Sequence, residues 1–192
     1  MDKVLSGVPR REWVVYLDDI LAHGPTFQAA LQSLRHVLER IAAAGLKLHP
    51  EKCHFMQREV SFLGHRLGRD GIGTMDEKVR AVKDWPTPTG QQQLKSFLGL
   101  VSYYRRFVRG FSCVATPLFR LLHKGQDFVW TSKCQTAFIS LQKALGEAPV
   151  LAPADPSLPL ILDCDASGHG VGGVLAQLSP EGERVVAYYS KT

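Results

Sequence analysis

A chain of 192 residues, 45% apolar and 21% charged, is a folded globular protein long enough for one large domain or two small ones, which excludes a disordered or fibrous chain. Its net charge of +5 and pI near 9.1 suit a polyanionic partner without requiring one, and no run of about 18 apolar residues is present to span a membrane. Four widely spaced cysteines with no C-x-x-C pair indicate neither a zinc cluster nor a disulfide framework, and the charged N-terminus lacks a signal peptide's apolar core, so a reduced intracellular protein of cytoplasm or nucleus is expected.

The first element is VVYLDDILAHG. Val14, Val15, Tyr16 and Leu17 favour a strand, Asp18 and Asp19 interrupt it, and Ile20 and Leu21 resume it, which predicts a tight hairpin with the acidic pair at its turn. Two readings fit that pair: an exposed polar turn, or oxygen ligands held at a rigid tip for a hard divalent cation. PTFQAALQSLRHVLERIAAAG follows as an amphipathic helix, with Leu31, Leu34, Val37, Leu38 and Ile41 on one face, Thr26 as its cap and Gly45 as its terminator. LKLHPEKCHFM is short, partly extended and punctuated by Pro50. His49, Cys53 and His54 within it lack a fourth ligand at zinc-like spacing and read as structural. VSFLGHRLG alternates as one strand, GRDGIG supplies a turn, and DEKVRAVKDW is a short helix with an acidic start.

WPTPTG is the clearest internal boundary. The helix after it, TGQQQLKSFLGLVSYYRRFV, opens on a Thr89–Gln92 capping-box spacing and carries an apolar stripe of Leu94, Phe97, Leu98, Val101, Tyr104 and Val108. ATPLFRLL is helical with Pro117 expected in its first turn, KGQDFVWTSK is a loop, and KCQTAFISLQKALG is a helix with Phe138, Leu141 and Leu145 inward. EAPVLAPADPSLP reads as a proline-rich linker. LPLILDCDASG is then a buried strand running into carboxylates, and GVGGVLAQLS and RVVAYYS are two further strands joined by SPEGE. Gly168, Gly170, Gly172 and Gly173 fall between strands and suit close strand packing better than a phosphate loop.

In this order the pieces are specific. YLDDIL, KCHF, FLGHRL, GI, DEK, DWPTP, LKSFLGLVSYYRRFV, ATPL, FVW, AF, APVLAPAD and DASGHGVGGVLAQ together resemble the Pol polyproteins of gypsy-type LTR retrotransposons over nearly the whole chain. The resemblance implies an α+β chain: residues 1–85 as the C-terminal part of a reverse transcriptase palm, with the YLDD hairpin and helices; residues 86–125 as a helical thumb; and residues 126–192 as a connection with the first strands of a ribonuclease H-like α/β domain.

It also implies an RNA-directed DNA polymerase working by two-metal phosphoryl transfer with Mg2+ or Mn2+ on an RNA/DNA primer-template, together with the rest of a Pol polyprotein or another chain. Asp18 would be the direct metal ligand, Asp19 its support, and Tyr16 would lie near the primer end. Asp165, in the D-A-S that matches the family's first ribonuclease H ligand, would hold a metal there; Asp163, two residues earlier, shares its strand face without a clear counterpart. Gln91, Gln92, Gln93, Lys95, Arg105, Arg106 and Arg109 would track template-primer phosphates, and Phe97, Tyr103, Tyr104 and Phe107 are expected to be mainly core. The pattern departs from the family in lacking an upstream palm aspartate before YLDD, the fingers and the later ribonuclease H carboxylates. The expectation is therefore a chain inactive on its own, or in the alternative a non-catalytic nucleic-acid-binding or interaction module derived from a retrotransposon.

Overall fold

The computed structural model describes every residue except His169 and Glu181, so the glycine run around 169 and the turn at 179–183 each include one position outside the described residues. The chain forms two compact units, Met1–Leu63 and Gly64–Thr192. The elements are mixed: five α-helices and eight strands among the described residues. None of the helices is long and apolar enough to cross a membrane.

In the first unit, β1 (Trp13–Tyr16) and β2 (Asp19–Ala22) form an antiparallel hairpin in which Trp13 pairs with Ala22 and Tyr16 with Asp19. Alternation decides which side chains turn inward: Trp13 is buried and Val15 half-buried, whereas Val14 and Tyr16 are exposed. Helix α1 (Phe27–Ala43) starts where Thr26 Oγ1 accepts from Ala29 N at 3.2 Å, and it ends before Gly45 at φ +69. Its Val37 and Ile41 close a core with Leu5, Val8 and Trp13, and Glu12 holds His36 at 2.9 Å. Residues 44–59 contain a 3-10 turn at Pro50–Lys52, flanked by extended backbone at His49 and Cys53 as the partly extended reading expected, and no strand; β3 (Val60–Phe62) follows.

The second unit opens with the hairpin β4 (His65–Gly68) and β5 (Gly71–Thr74), then α2 (Asp76–Lys83), α3 (Gln91–Tyr103), a 3-10 turn at Arg105–Phe107, α4 (Phe111–Arg120) and α5 (Ser132–Gly146). The single strand expected over VSFLGHRLG is broken into β3 and β4, because Leu63 and Gly64 adopt φ +47 and +67, outside any strand. One core runs through this unit: Val82, Leu94, Phe97, Leu98, Val101, Tyr104, Phe107, Leu118, Phe138, Leu141 and Leu145 are buried together. The prolines before α3 do not interrupt it, since Pro88 is itself buried.

Three expectations are corrected here. Gly90, not Thr89, caps α3, and the polar pair at its start is shifted by one residue: Gln93 Oε1 accepts from Thr89 N and Oγ1 at 2.9 and 3.2 Å. Pro117 lies inside α4, not in its first turn; α4 begins at Phe111, ahead of the expected start, so the missing N–H falls in the helix interior, and the helix ends at Arg120. The proline-rich stretch after α5 is pinned and not a free linker: Leu151 exchanges both backbone hydrogen bonds with Ile72 at 2.8 Å, and Ala152 N donates to Val185 O at 2.7 Å.

The final sheet has the order β6-β7-β8, with β6 (Leu160–Ser167), β7 (Gly170–Ser179) and β8 (Gly182–Lys191) all antiparallel. A bulge between Leu175 and Ala176 lets β8 turn Val185 and Tyr188 onto the unit's core. Strand β6 was expected to be buried and is instead exposed at every position but Ile161, with Leu160 and Leu162 at 55% and 64%. It is the edge strand, paired only to β7 among the described residues.

Candidate catalytic hairpin and helical face

Two residues, Leu17 and Asp18, make the loop of the first hairpin, since Tyr16 and Asp19 already pair across it. Leu17 takes φ +54, the positive sense that a two-residue loop needs to match the right-handed twist of its strands. A leucine pays a steric cost there, and it is 76% exposed, so no burial compensates. The turn lifts Asp18 clear of both strands while Asp19 starts β2; both carboxylates are exposed. Tyr16 closes β1 beside them and is 56% exposed. The sequence reading of a hairpin tip bearing two carboxylates and a tyrosine thus corresponds to one continuous surface feature.

Oxygen donors of this kind suit a hard cation. Their number is the limit: no cluster of three or more His, Cys, Asp or Glu side chains placed to hold a metal occurs among the described residues.

Asp165 and Asp163 belong to the other unit and occupy one face of β6, two residues apart. Asp165 stands opposite Gly172, and Gly172 opposite Ser190, whose Oγ accepts from Ser112 N at 2.9 Å. The carboxylate-bearing face is therefore the one that β8 turns toward α4. Both aspartates are exposed.

The helical residues read as phosphate contacts divide into two kinds. Gln92 and Lys95 are exposed and one helical turn apart on α3, and Arg105 and Arg109 are exposed beyond it. Gln91 and Arg106 point elsewhere. Gln91 Nε2 donates to Leu121 O at 3.2 Å and Gln126 O at 3.3 Å, tying α3 to the loop after α4. Arg106 is half-buried and donates from Nη2 to Val186 O at 3.3 Å. Phe97, Tyr104 and Phe107 are buried, whereas Tyr103 is 50% exposed.

One group escaped the sequence reading altogether. His65 at the start of β4 lies flat against Tyr103, with ring centroids 5.2 Å apart and 13° between planes, and edge-on to Tyr104 at 5.6 Å. Burial pulls its imidazole below the ordinary range, and the Arg106 guanidinium adds to the effect. The only local signal was the Tyr-Tyr doublet where an apolar stripe ends; its partner 38 positions earlier is invisible to periodicity.

Residues 1–67 match the family described as reverse transcriptase (RNA-dependent DNA polymerase), and residues 130–192 match the RNase H-like domain found in reverse transcriptase. The chain is 34% identical over 191 residues to the retrovirus-related Pol polyprotein from transposon 412 of Drosophila melanogaster, covering 100% of this chain and 15% of that protein. It is 31% identical to the transposon Tf2-3 polyprotein of Schizosaccharomyces pombe, covering 99% of this chain and 14% of that one. The foamy viral protease-reverse transcriptase dRH in complex with ds DNA matches with a TM-score of 0.86 and 28% identity, over 100% of this chain and 33% of that chain. The foamy viral protease-reverse transcriptase in complex with an RNA/DNA hybrid matches at 0.84 and 28%, over 99% of this chain and 26% of that one.

Proposed function

We propose a function from one premise: the chain belongs to the retrotransposon Pol polyproteins, within their reverse transcriptase and RNase H-like region. On that premise residues 1–85 serve as the C-terminal part of the palm, 86–125 as a thumb-like segment, and 126–192 as the connection and the N-terminal part of the RNase H-like domain. The activity is RNA-directed DNA synthesis on a primer-template. The observation that carries it is the two-residue turn that holds Asp18 clear of its strands beside Asp19 and Tyr16. The foamy viral relatives, bound to ds DNA and to an RNA/DNA hybrid, support a nucleic-acid substrate.

In this reading Asp18 contributes the direct metal ligand and Asp19 the supporting one, with Asp165 as a ligand in the RNase H-like part. A bound Mg2+ or Mn2+ would neutralise charge developing on the phosphoryl oxygens. The chain's own residues do the rest. The hairpin sets the backbone positions of the two aspartates side by side, so both carboxylates are presented to an approaching phosphate. Tyr16 lies along the primer end, Lys95, Arg105 and Arg109 neutralise backbone phosphates, and Gln92 donates a hydrogen bond to one.

A second reading is favoured by the donor count. Two carboxylates on one hairpin, with no third acidic or imidazole ligand gathered to them among the described residues, leave a two-metal site unfilled by this chain. The chain alone is then a non-catalytic nucleic-acid-binding module.

Primer extension by the purified chain on an RNA template with Mg2+, run beside Asp18→Asn, separates the two. Extension that disappears in Asp18→Asn supports the catalytic reading for this chain. Salt-dependent duplex binding without extension, equal in both proteins, supports the binding module. No binding by a folded sample rejects both.

A further inference from the structure

The aromatic cluster around His65 has a shape that neither reading uses. Its ring is stacked on Tyr103, edge-on to Tyr104 and tilted against Phe107 at 5.6 Å. Tyr104 in turn donates its hydroxyl to Gly64 O at 2.7 Å, so one phenol holds the start of the β4–β5 hairpin. Gly64, at φ +67, lies so close that an added Cβ would sit 3.0 Å from the Tyr103 hydroxyl. Four aromatic rings thus clamp the start of β4 onto the end of α3 and the 3-10 turn after it.

The polar atoms of the clamp are matched to a neutral ring. His65 Nδ1 is buried with no hydrogen-bond partner among the described residues. In the neutral imidazole that atom can be a bare lone pair; in the imidazolium it must carry an N–H, which here finds no acceptor. Among the charged groups around the ring, Arg106 acts on His65 from the 3-10 turn, and its own Nε is likewise buried without a partner. Arg66, the next residue of β4, lays its guanidinium along Gly73 of β5. Glu77 of α2, a carboxylate that acts on Tyr104, is exposed and sits 3.3 Å from Lys78. Tyr103 and Tyr104 contribute neutral phenols. The stacked Tyr103 face would favour a cation, but desolvation and Arg106 oppose one and prevail in direction.

We propose that His65 makes this clamp pH-sensitive: it is closed with a neutral ring and loosens when the ring takes up a proton. The sign follows from linkage. The folded ring titrates below its unfolded value of about 6.5, so between the two the unfolded or opened chain binds more protons. The clamp is at full strength above about pH 6.5 and weakens as pH falls below it, by up to about tenfold in the opening equilibrium per pH unit. Opening frees the half-exposed Tyr103 from its partner and releases the Gly64 backbone.

The test uses the full chain. NMR titration of the His65 ring protons is expected to give a midpoint below 6.5, with the Tyr103 ring resonances moving in step. The protection factors of the Gly64–Arg66 amides (exchange rate divided into the intrinsic rate at each pH) should fall below that pH in the unmodified chain and stay level in His65→Phe, which keeps the stack and cannot take a proton. The other six histidines are common to both proteins, so only the difference between them is read. A His65 midpoint at or above 6.5, or protection factors at these amides that do not change with pH, overturns the proposal. If His65→Phe fails to fold, the midpoint and the exchange of the unmodified chain decide alone.

Discussion

The hydroxyl of Tyr104 donates to the carbonyl of Gly64 at 2.7 Å, across forty residues of chain. Tyr104 is buried to 2% exposure, so its bond is made away from water, and removing it leaves the Gly64 carbonyl without that donor. Tyr104→Phe keeps the ring and deletes only the hydroxyl. It is expected to cost about 1–3 kcal/mol, a fall of roughly 2–10 °C in Tm for a chain of this size. Thermal unfolding checks this, and a change under about 1 °C would show that the bond contributes nothing.

Leu151 and Gly71 make a second long-range prediction. Gly71 holds φ +133, and a Cβ built on it would fall 2.2 Å from Leu151 O, the atom that accepts from Ile72 N. Both faults act together in Gly71→Ala: a backbone conformation alanine disfavours and a clash with backbone that has no rotamer to escape into. The expected loss exceeds about 2 kcal/mol. Faster exchange of the Ile72 and Leu151 amides would place the damage at the bridge.

What the sequence made legible was local. Thr26 and the three-to-four spacing of Val37 and Ile41 located α1, and the strand–acid–strand pattern located the hairpin at Asp18, because both signals lie within a few residues. The break at Leu63–Gly64, the pinning of Leu151, and Gln91 turned toward Leu121 depend on partners 30 to 79 positions away, which no periodicity reports. Exposure of β6 was hidden for another reason. LPLIL has the composition of a buried strand, but burial depends on what covers a strand, and this one lies at a sheet edge.

Leu17 tests the hairpin itself. Its positive φ costs a leucine on the order of 1–2 kcal/mol, and at 76% exposure its side chain returns little packing. Asparagine tolerates the left-handed region and gives up less backbone freedom than glycine on folding. Leu17→Asn is expected to raise Tm by roughly 1–3 °C, whereas Leu17→Val, branched at Cβ, lowers it. Equal midpoints for the two variants would mean that the turn carries no strain.

The helical face separates binding from architecture most directly, because residues that read alike in sequence have different surroundings. Lys95 and Arg105 are exposed; Gln91 is bonded to two carbonyls of its own chain. If Lys95 and Arg105 neutralise phosphates of a primer-template duplex, Lys95→Ala and Arg105→Ala each reduce the slope of log affinity against log salt by about 0.9, with Tm changed by no more than about 1–2 °C. Gln91→Ala should do the reverse. It leaves the Leu121 and Gln126 carbonyls without that donor, costs about 1–2 kcal/mol of stability, and leaves the salt slope unchanged. Fluorescence anisotropy with a labelled duplex across a salt series, paired with thermal unfolding of each variant, reads both quantities. A salt slope unaltered in Lys95→Ala and Arg105→Ala would remove this face from the nucleic-acid contact and leave the hairpin at Asp18 as the remaining candidate.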